Sequence, residues 1–195
     1  MKGIENKLSL LLYNQKIIKK EDIDIFNYGL EIFIFSSLQV LSILGISIFA
    51  DNFIETLLFF ISFIPLRIFA GGYHADTKLR CYGVSLIVYI IFSIAIKYIP
   101  QYVHMQLYIF EMIFSLIIVL ICSPVIHINK SISNTEMYQY RKISIFICLI
   151  QIILTVVLII IFKSNKFITA IIFGQLAETL SIIAAKIKEQ LKTNK

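Results

Sequence analysis

The residues of this chain that could do chemistry are concentrated in one segment, 67–81, which reads Arg-Ile-Phe-Ala-Gly-Gly-Tyr-His-Ala-Asp-Thr-Lys-Leu-Arg-Cys. It places His74 and Cys81 beside a glycine pair and flanking cations. A cysteine becomes a nucleophile when a nearby histidine or cation favours its thiolate form. A histidine can accept a proton and later donate one to a leaving amine. The segment therefore predicts a thiol nucleophile at Cys81 with His74 as its base and acid.

The spacing of His74 and Cys81 constrains how they could work together. In one continuous helix they would lie on the same face but about 10.5 Å apart along the axis, whereas direct proton transfer needs about 2.6–3.2 Å. The segment must therefore bend, and Gly71 and Gly72 could allow this because glycine adopts positive φ without a steric penalty. The residues alone leave open a plainer interpretation: an interfacial histidine, a passive cysteine, an ordinary glycine loop and an Arg67 that extends to the lipid headgroups.

The composition indicates what kind of protein must position this segment. Residues of the apolar class make up 58% of the 195 residues and charged residues 15%, against about 45–50% and about 25% in soluble domains. This excludes a soluble globular enzyme, and a disordered chain is excluded because disorder requires low hydrophobicity. The net charge of +6 does not indicate a nucleic-acid partner, since the cations punctuate apolar segments. The sequence therefore predicts an integral membrane protein.

Six apolar stretches are long enough to cross a bilayer, for which about 20 residues are needed. They are 28–50, 53–70, 82–99, 105–121, 143–162 and 167–185. The second is the weakest, because Pro65 and Arg67 interrupt its end. We expect an all-α polytopic membrane protein with about six transmembrane helices, forming a single integral membrane domain over residues 1–195.

The ends and loops predict how the chain is oriented. Residues 1–25 carry apolar side chains at helical spacing among lysines, typical of an amphipathic helix in the headgroup plane; a solvated cytosolic cap is the alternative. Lys and Arg favour cytoplasmic loops. With both termini inside, 15 of the 18 Lys and Arg residues lie on the cytoplasmic side. This count also places the segment 66–82, which we expect to be catalytic, in the cytoplasm.

Arg67, Gly72, His74 and Cys81, following the second span of a small polytopic protein, resemble the accessory gene regulator B (AgrB) family. These proteins are membrane cysteine endopeptidases of Gram-positive quorum sensing. The resemblance extends over nearly the whole chain in length, span order and N-terminal helix. It is most specific between Arg67 and Cys81, where the His-to-Cys spacing of the family motif is met.

The resemblance implies a concrete activity for these positions. Cys81 and His74 would be catalytic, with Arg67, Gly71 and Gly72 in support, and no metal or other cofactor would be needed. The Cys81 thiolate would cleave the C-terminal tail from a precursor peptide of the AgrD type, and a thiolactone or lactone ring would then form from the acyl-enzyme thioester. The resemblance also implies a homodimer in the cell membrane, in contact with lipid and not with nucleic acid.

Other polar residues leave roles open. Asp76 could orient His74 or be a solvated acid, and the oxyanion donors cannot be assigned. Ionisable residues in spans are rare and often functional. We expect Glu111 near a span end and Glu178 deeper, paired with a polar partner or facing a cavity.

Two other classes of function compete with a peptidase. One is a metal-handling transporter. Cys122 and His127 fall at the same predicted cytoplasmic edge of the membrane as His74 and Cys81, and two His with two Cys could bind Zn²⁺. Their spacing is unlike that of compact zinc modules. The other is a non-enzymatic membrane scaffold.

Overall fold

The computed structural model describes residues 4–73, 75, 77–98, 105–125, 133–161 and 165–193. Nearly all of them are helical, and outside the helices an isolated parallel β-bridge joins Gly71 to Val125. The seven α-helices are α1 (Ile4–Asn14), α2 (Ile23–Phe49), α3 (Phe53–Ala70), α4 (Lys78–Tyr98), α5 (Met105–Cys122), α6 (Asn134–Ile161) and α7 (Asn165–Thr193), with a 3₁₀ turn at Lys20–Asp22 before α2.

Helices α2 to α7 are long and apolar enough to cross a membrane, which confirms the predicted all-α fold class with about six spans. The 18 residues of α3 rise about 27 Å, close to the bilayer's hydrocarbon thickness of about 30 Å. Pro65 does not end this helix, which continues to Ala70. Proline is tolerated inside transmembrane helices because neighbouring groups satisfy the backbone that it frees.

The chain forms two compact units, Met1–Ile46 and Ser47–Lys195. In the first unit, the predicted amphipathic segment contains α1, on which Leu8 and Leu11 are exposed. The Ser9 hydroxyl donates a hydrogen bond to the side-chain carbonyl of Asn27, so that α1 is joined to the beginning of α2. The position of α1 on a membrane surface stays a prediction.

In the second unit α7 is the central helix. It packs against α3, α4, α5 and α6. In an apolar stretch of 18 residues, 56% of the residues of α7 are buried, compared with 11–28% in the other spans. Because α7 faces protein on most sides, it can carry polar side chains that a lipid-facing helix could not. Several of these are fully buried, among them Gln175, Glu178 and Thr179.

Hydrogen bonds between polar side chains connect the helices of this unit inside the apolar region. The Gln151 side chain of α6 donates to the Ser62 carbonyl of α3 at 2.7 Å, and Gln175 of α7 donates to Gln151 at 3.1 Å. The hydroxyl of Tyr108 in α5 lies 2.6 Å from the hydroxyl of Thr169 in α7. Such bonds each contribute about 0.6 kcal/mol on average in membrane proteins, so packing around α7 remains the main source of stability.

Candidate active site at the α3–α4 junction

The segment predicted to be catalytic contains the end of α3, the junction after it and the start of α4. Helix α3 ends at Ala70 and α4 begins at Lys78, so the chain is not one helix from Arg67 to Cys81. The break begins at Gly71 and Gly72, whose φ angles are 77° and 147°, in the region that L-residues with side chains rarely adopt. The chain therefore leaves the helical path between Arg67 and Cys81, as a working His74–Cys81 pair would require.

His74 and Asp76 lie outside the described residues, as does His127 of the rival metal site. The pairing of His74 with Cys81 and the orienting role of Asp76 stay predictions. Within the residues that the structure describes, no group of three or more His, Cys, Asp or Glu side chains could hold a metal ion. This leaves the rival site, which depends on two undescribed histidines, as an alternative to be tested by experiment.

Gly71 joins this segment to the chain that follows α5. The bridge between Gly71 and Val125 is supported by the Val125 amide, which donates to the Ala70 carbonyl at 2.8 Å. A Cβ atom on Gly71 would overlap the carbonyl oxygen of Val125. Glycine is therefore required at this position both by the backbone angle and by the close approach of the segment that follows α5.

The side chain of Arg67 turns inward from the end of α3. Its Nη1 lies 3.6 Å from Oε2 of Glu178 and donates to the Ser181 hydroxyl at 2.5 Å, and both acceptors are on α7. Its Nη2 donates to the carbonyl of Tyr73. The Arg67 side chain is 20% exposed and that of Glu178 is 0% exposed. Arg67 is thus an internal ion-pair partner, and the interpretation of it as a cation that extends to the headgroups does not describe its place in this structure.

Gly72 leaves the space through which the Arg67 side chain reaches α7. A Cβ atom at position 72 would overlap Nη1 of Arg67 and would lie 2.6 Å from the Ser181 hydroxyl and 3.0 Å from Oε1 of Glu178. A side chain here would therefore displace the guanidinium from its partners. Arg67 and Gly72 thus depend on each other in the structure, and the supporting roles that the resemblance implies for them stay predictions.

Tyr73, the residue that precedes His74, is held through its backbone and its ring. Its amide donates at 3.0 Å to both the backbone carbonyl and the hydroxyl of Ser181, and its carbonyl accepts from Arg67. The ammonium of Lys188 lies 5.0 Å from the centre of its ring, a favourable cation–π distance. Helix α7 therefore holds the chain in place at the residue before His74.

Cys81 lies in the first turn of α4 and is partly exposed. Thr77 caps this helix, since its hydroxyl accepts from the Arg80 amide at 3.3 Å and its carbonyl accepts from the Cys81 amide at 3.0 Å. Cys81 is therefore a partly exposed thiol at the N-terminal end of a helix.

The other two cysteines have different surroundings. Cys148 is fully buried, in a core cluster with Leu66, Val119 and Ile182, where a peptide carbonyl could not reach it. Cys122 is the last residue of α5 and packs against the same cluster. Cys148 is thus a core thiol, whereas Cys122 is partly exposed like Cys81 but packs against the core cluster and lies outside the glycine–histidine segment.

Three segments that the charge count places in the cytoplasm, 66–82, 122–142 and 186–195, meet at one end of the second unit. The segment 66–82 contacts Val125 after α5, and its Tyr73 contacts Ser181 and Lys188 in the C-terminal half of α7. This is what alternating membrane crossings require. Which side of the membrane this end faces stays a prediction.

Sequence reasoning missed part of this site. The sequence predicted no role for Ser181, and it predicted that Glu178 pairs with a polar partner or faces a cavity; the partner in the structure is Arg67. A usable signal was present, because a carboxylate deep in a span needs a cation and Arg67 is the basic residue inside the second span. Glu111, expected near a span end, is buried within α5, where its carboxylate accepts from the Ser115 hydroxyl at 2.5 Å.

Comparisons with known proteins agree with the resemblance seen in the motif. The family model described as "Accessory gene regulator B" matches residues 5–182. The chain is similar to the accessory gene regulator protein B of Staphylococcus carnosus (strain TM300), with 28% identity over 164 residues, covering 79% of this chain and 81% of the relative. No solved structure matches the chain.

Proposed function

The chain belongs to the accessory gene regulator B family, and on this premise we propose that it is a membrane cysteine endopeptidase that processes a signalling-peptide precursor of the AgrD type. Family membership implies a role in quorum-sensing peptide processing. The residues that would perform the reaction, its chemistry and its product are the proposal. They rest on what the family resemblance implies for Cys81 and His74, and the surroundings of Cys81 support them.

The first step is an acyl transfer. The Cys81 thiolate attacks a peptide carbonyl carbon of the precursor, the C–N bond breaks, and an acyl-enzyme thioester forms. His74 accepts the thiol proton and then donates a proton to the amine of the departing C-terminal tail. The proposal is supported by the partial exposure of Cys81 at the capped start of α4 and by the anchored chain that leads to His74.

The second step closes a ring. A cysteine thiol or serine hydroxyl within the precursor attacks the thioester carbonyl and releases the Cys81 thiolate, which yields a thiolactone or lactone. A thioester retains most of the acyl-transfer potential, so making a ring thioester from it need not be strongly uphill. A site at a membrane edge limits water, and this favours ring closure over hydrolysis.

The proposed setting is the cytoplasmic face of the cell membrane. The charge distribution of the loops supports this side for both termini and for the end of the second unit that carries Cys81. A precursor with an amphipathic leader would approach along the same lipid surface as the catalytic segment. We also propose that the protein acts as a homodimer, as the family resemblance implies, without nucleic acid or a cofactor.

The observation that carries the proposal is the placement of Cys81: a partly exposed thiol in the first turn of a capped helix, directly after the bent segment that contains His74. The test is to trap the acyl-enzyme. A precursor whose internal cysteine and serine residues are replaced by alanine cannot close the ring, so the thioester should accumulate. Mass spectrometry of the digested protein should find the acyl group on the peptide that contains Cys81. Tail release without a Cys81 adduct would contradict the mechanism.

The two rival functions make different predictions. A His–Cys acyl transfer needs no ion, so we expect cleavage in reconstituted vesicles to be unchanged by a chelator. Loss of cleavage on chelation, restored by Zn²⁺, would favour the metal-handling interpretation. A non-enzymatic scaffold would give cleavage in cells that is indifferent to Cys81, and none with the purified protein.

A further inference from the structure

The guanidinium of Arg67 connects three parts of the second unit: the end of α3, the polar face of α7 and the segment before His74. Its two terminal nitrogens have different partners. Nη1 forms the ion pair with Glu178 and donates a hydrogen bond to the Ser181 hydroxyl, and Nη2 donates to the Tyr73 carbonyl. The position of the Tyr73 carbonyl is thus linked to a carboxylate on another helix.

Glu178 is the acidic residue beside the Arg67 guanidinium. The Arg67 side chain is 20% exposed, and a long cationic side chain near the end of a span extends to water or to headgroups when nothing holds it inside. The Glu178 carboxylate has no exposed surface and lies 3.6 Å from Nη1. Removing its charge would leave Arg67 without a compensating anion at this depth, and the guanidinium would turn outward and release Tyr73.

Tyr73 transmits this arrangement to the site. Both of its backbone polar groups are bonded, the amide to Ser181 and the carbonyl to Arg67. The next residue in the chain is His74. Releasing the carbonyl would leave the segment tied only on the amide side and would widen the range of positions open to the histidine.

We propose that Glu178 is a positioning residue, assisted by Ser181, which acts through Arg67 and the backbone of Tyr73 to hold His74 in place relative to Cys81. This inference rests on the proposed function, because it requires His74 to serve Cys81 as base and acid. Glu178 itself does not touch the reacting atoms.

The first test compares two acids on the same helix. Glu178→Gln removes the charge with little change of volume, and Glu189→Gln makes the same change at an exposed acid that is paired with Lys186 at 2.9 Å. With purified protein in vesicles, we expect Glu178→Gln to lower kcat for precursor cleavage about 10- to 100-fold, as misplacement of a catalytic group does. KM should change less than about threefold, because the change does not affect substrate contacts. Glu189→Gln should behave as the unmodified protein.

The second measurement reports on His74 without the substrate. In a background with Cys122→Ala and Cys148→Ala, Cys81 is the remaining thiol, and its alkylation rate by iodoacetamide is followed. If His74 activates Cys81, His74→Ala slows this rate, and Glu178→Gln should slow it toward the same value. If His74→Ala has no effect on alkylation or cleavage, the proposed function fails. If His74→Ala slows both while Glu178→Gln leaves alkylation unchanged, the positioning role alone is overturned, even if kcat has fallen.

A milder variant covers the case in which Glu178→Gln does not fold. Ser181→Ala removes the hydroxyl that bonds Arg67 and the Tyr73 amide, but leaves the ion pair and the second Tyr73 bond to the Ser181 carbonyl. We expect a smaller fall in kcat, of several-fold, together with slower Cys81 alkylation. Unchanged values for a well-folded Ser181→Ala protein would overturn the proposal.

Discussion

Arg67 of α3 and Glu178 of α7 form a 3.6 Å ion pair at the end of the bundle that carries Cys81. The pair joins the helix that precedes the candidate catalytic segment to the central helix of the unit. Because the carboxylate is fully buried and the arginine mostly buried, each charge depends on the other. Breaking the pair should therefore destabilise the protein.

Replacing Arg67 by Ala should destabilise the protein by about 3–5 kcal/mol, because it leaves a buried carboxylate without its cation. The double variant Arg67→Met/Glu178→Leu should recover much of the loss, since no buried charge then remains uncompensated. Thermal unfolding in detergent, followed by circular dichroism, measures both effects.

The matched control for this prediction is Lys186→Ala, which breaks the exposed 2.9 Å pair with Glu189. Exposed pairs contribute about 0–1 kcal/mol, so the transition should hardly move. Equal losses from Arg67→Ala and Lys186→Ala would contradict the assignment of a buried, interdependent pair.

Gly72→Ala should abolish most precursor cleavage. The φ of 147° strains any residue with a Cβ, and the added methyl group would push Arg67 away from α7. Gly83→Ala is the control, because nothing lies within 4 Å of a Cβ at that position in α4 and alanine favours helix by about 1 kcal/mol over glycine. Cleavage in cells, normalised to the amount of inserted protein, gives the comparison. Similar activity of the two variants would show that the space at Gly72 is not needed.

The three thiols should differ sharply in their effect on cleavage. Cys81→Ala should abolish it while the protein still inserts, and Cys81→Ser should be very poor because a hydroxyl ionises far less readily than a thiol. Cys122→Ala and Cys148→Ala should retain substantial activity, although the second leaves a cavity in the core that lowers stability. Detection of the released tail after co-expression with the precursor distinguishes them. Near-normal cleavage by Cys81→Ala would refute the mechanism.

The predicted orientation can be tested at the N-terminal ends of α6 and α7. Asn134 begins α6 and Lys166 lies at the start of α7, and both side chains are exposed. Cysteines introduced at these positions, with the native cysteines replaced by alanine, should label from opposite sides of the membrane, and Asn134→Cys should label only from the cytoplasm. Labelling of Asn134→Cys in intact cells by an impermeant maleimide would reverse the orientation.

The sequence by itself determined the membrane class and the number of spans. The second span was predicted at 53–70, which is where the helix lies, although Pro65 suggested an interruption. Helices α6 and α7 extend beyond the last two predicted spans. Hydropathy reports only the part of a helix inside the hydrocarbon, whereas backbone hydrogen bonds continue α6 back to Asn134 and α7 on to Thr193 through polar residues.

The sequence also identified the segment from Arg67 to Cys81 and the need for a bend in it, because the spacing of His74 and Cys81 is incompatible with proton transfer in one helix. The tertiary structure determined which residues that segment contacts. The contacts of Arg67 with Glu178 and Ser181 join distant parts of the chain, and they depend on how α3 packs against α7. Local patterns predict the apolar spans and the amphipathic segment, but which buried charges meet depends on the packing of helices, which no short stretch of sequence specifies.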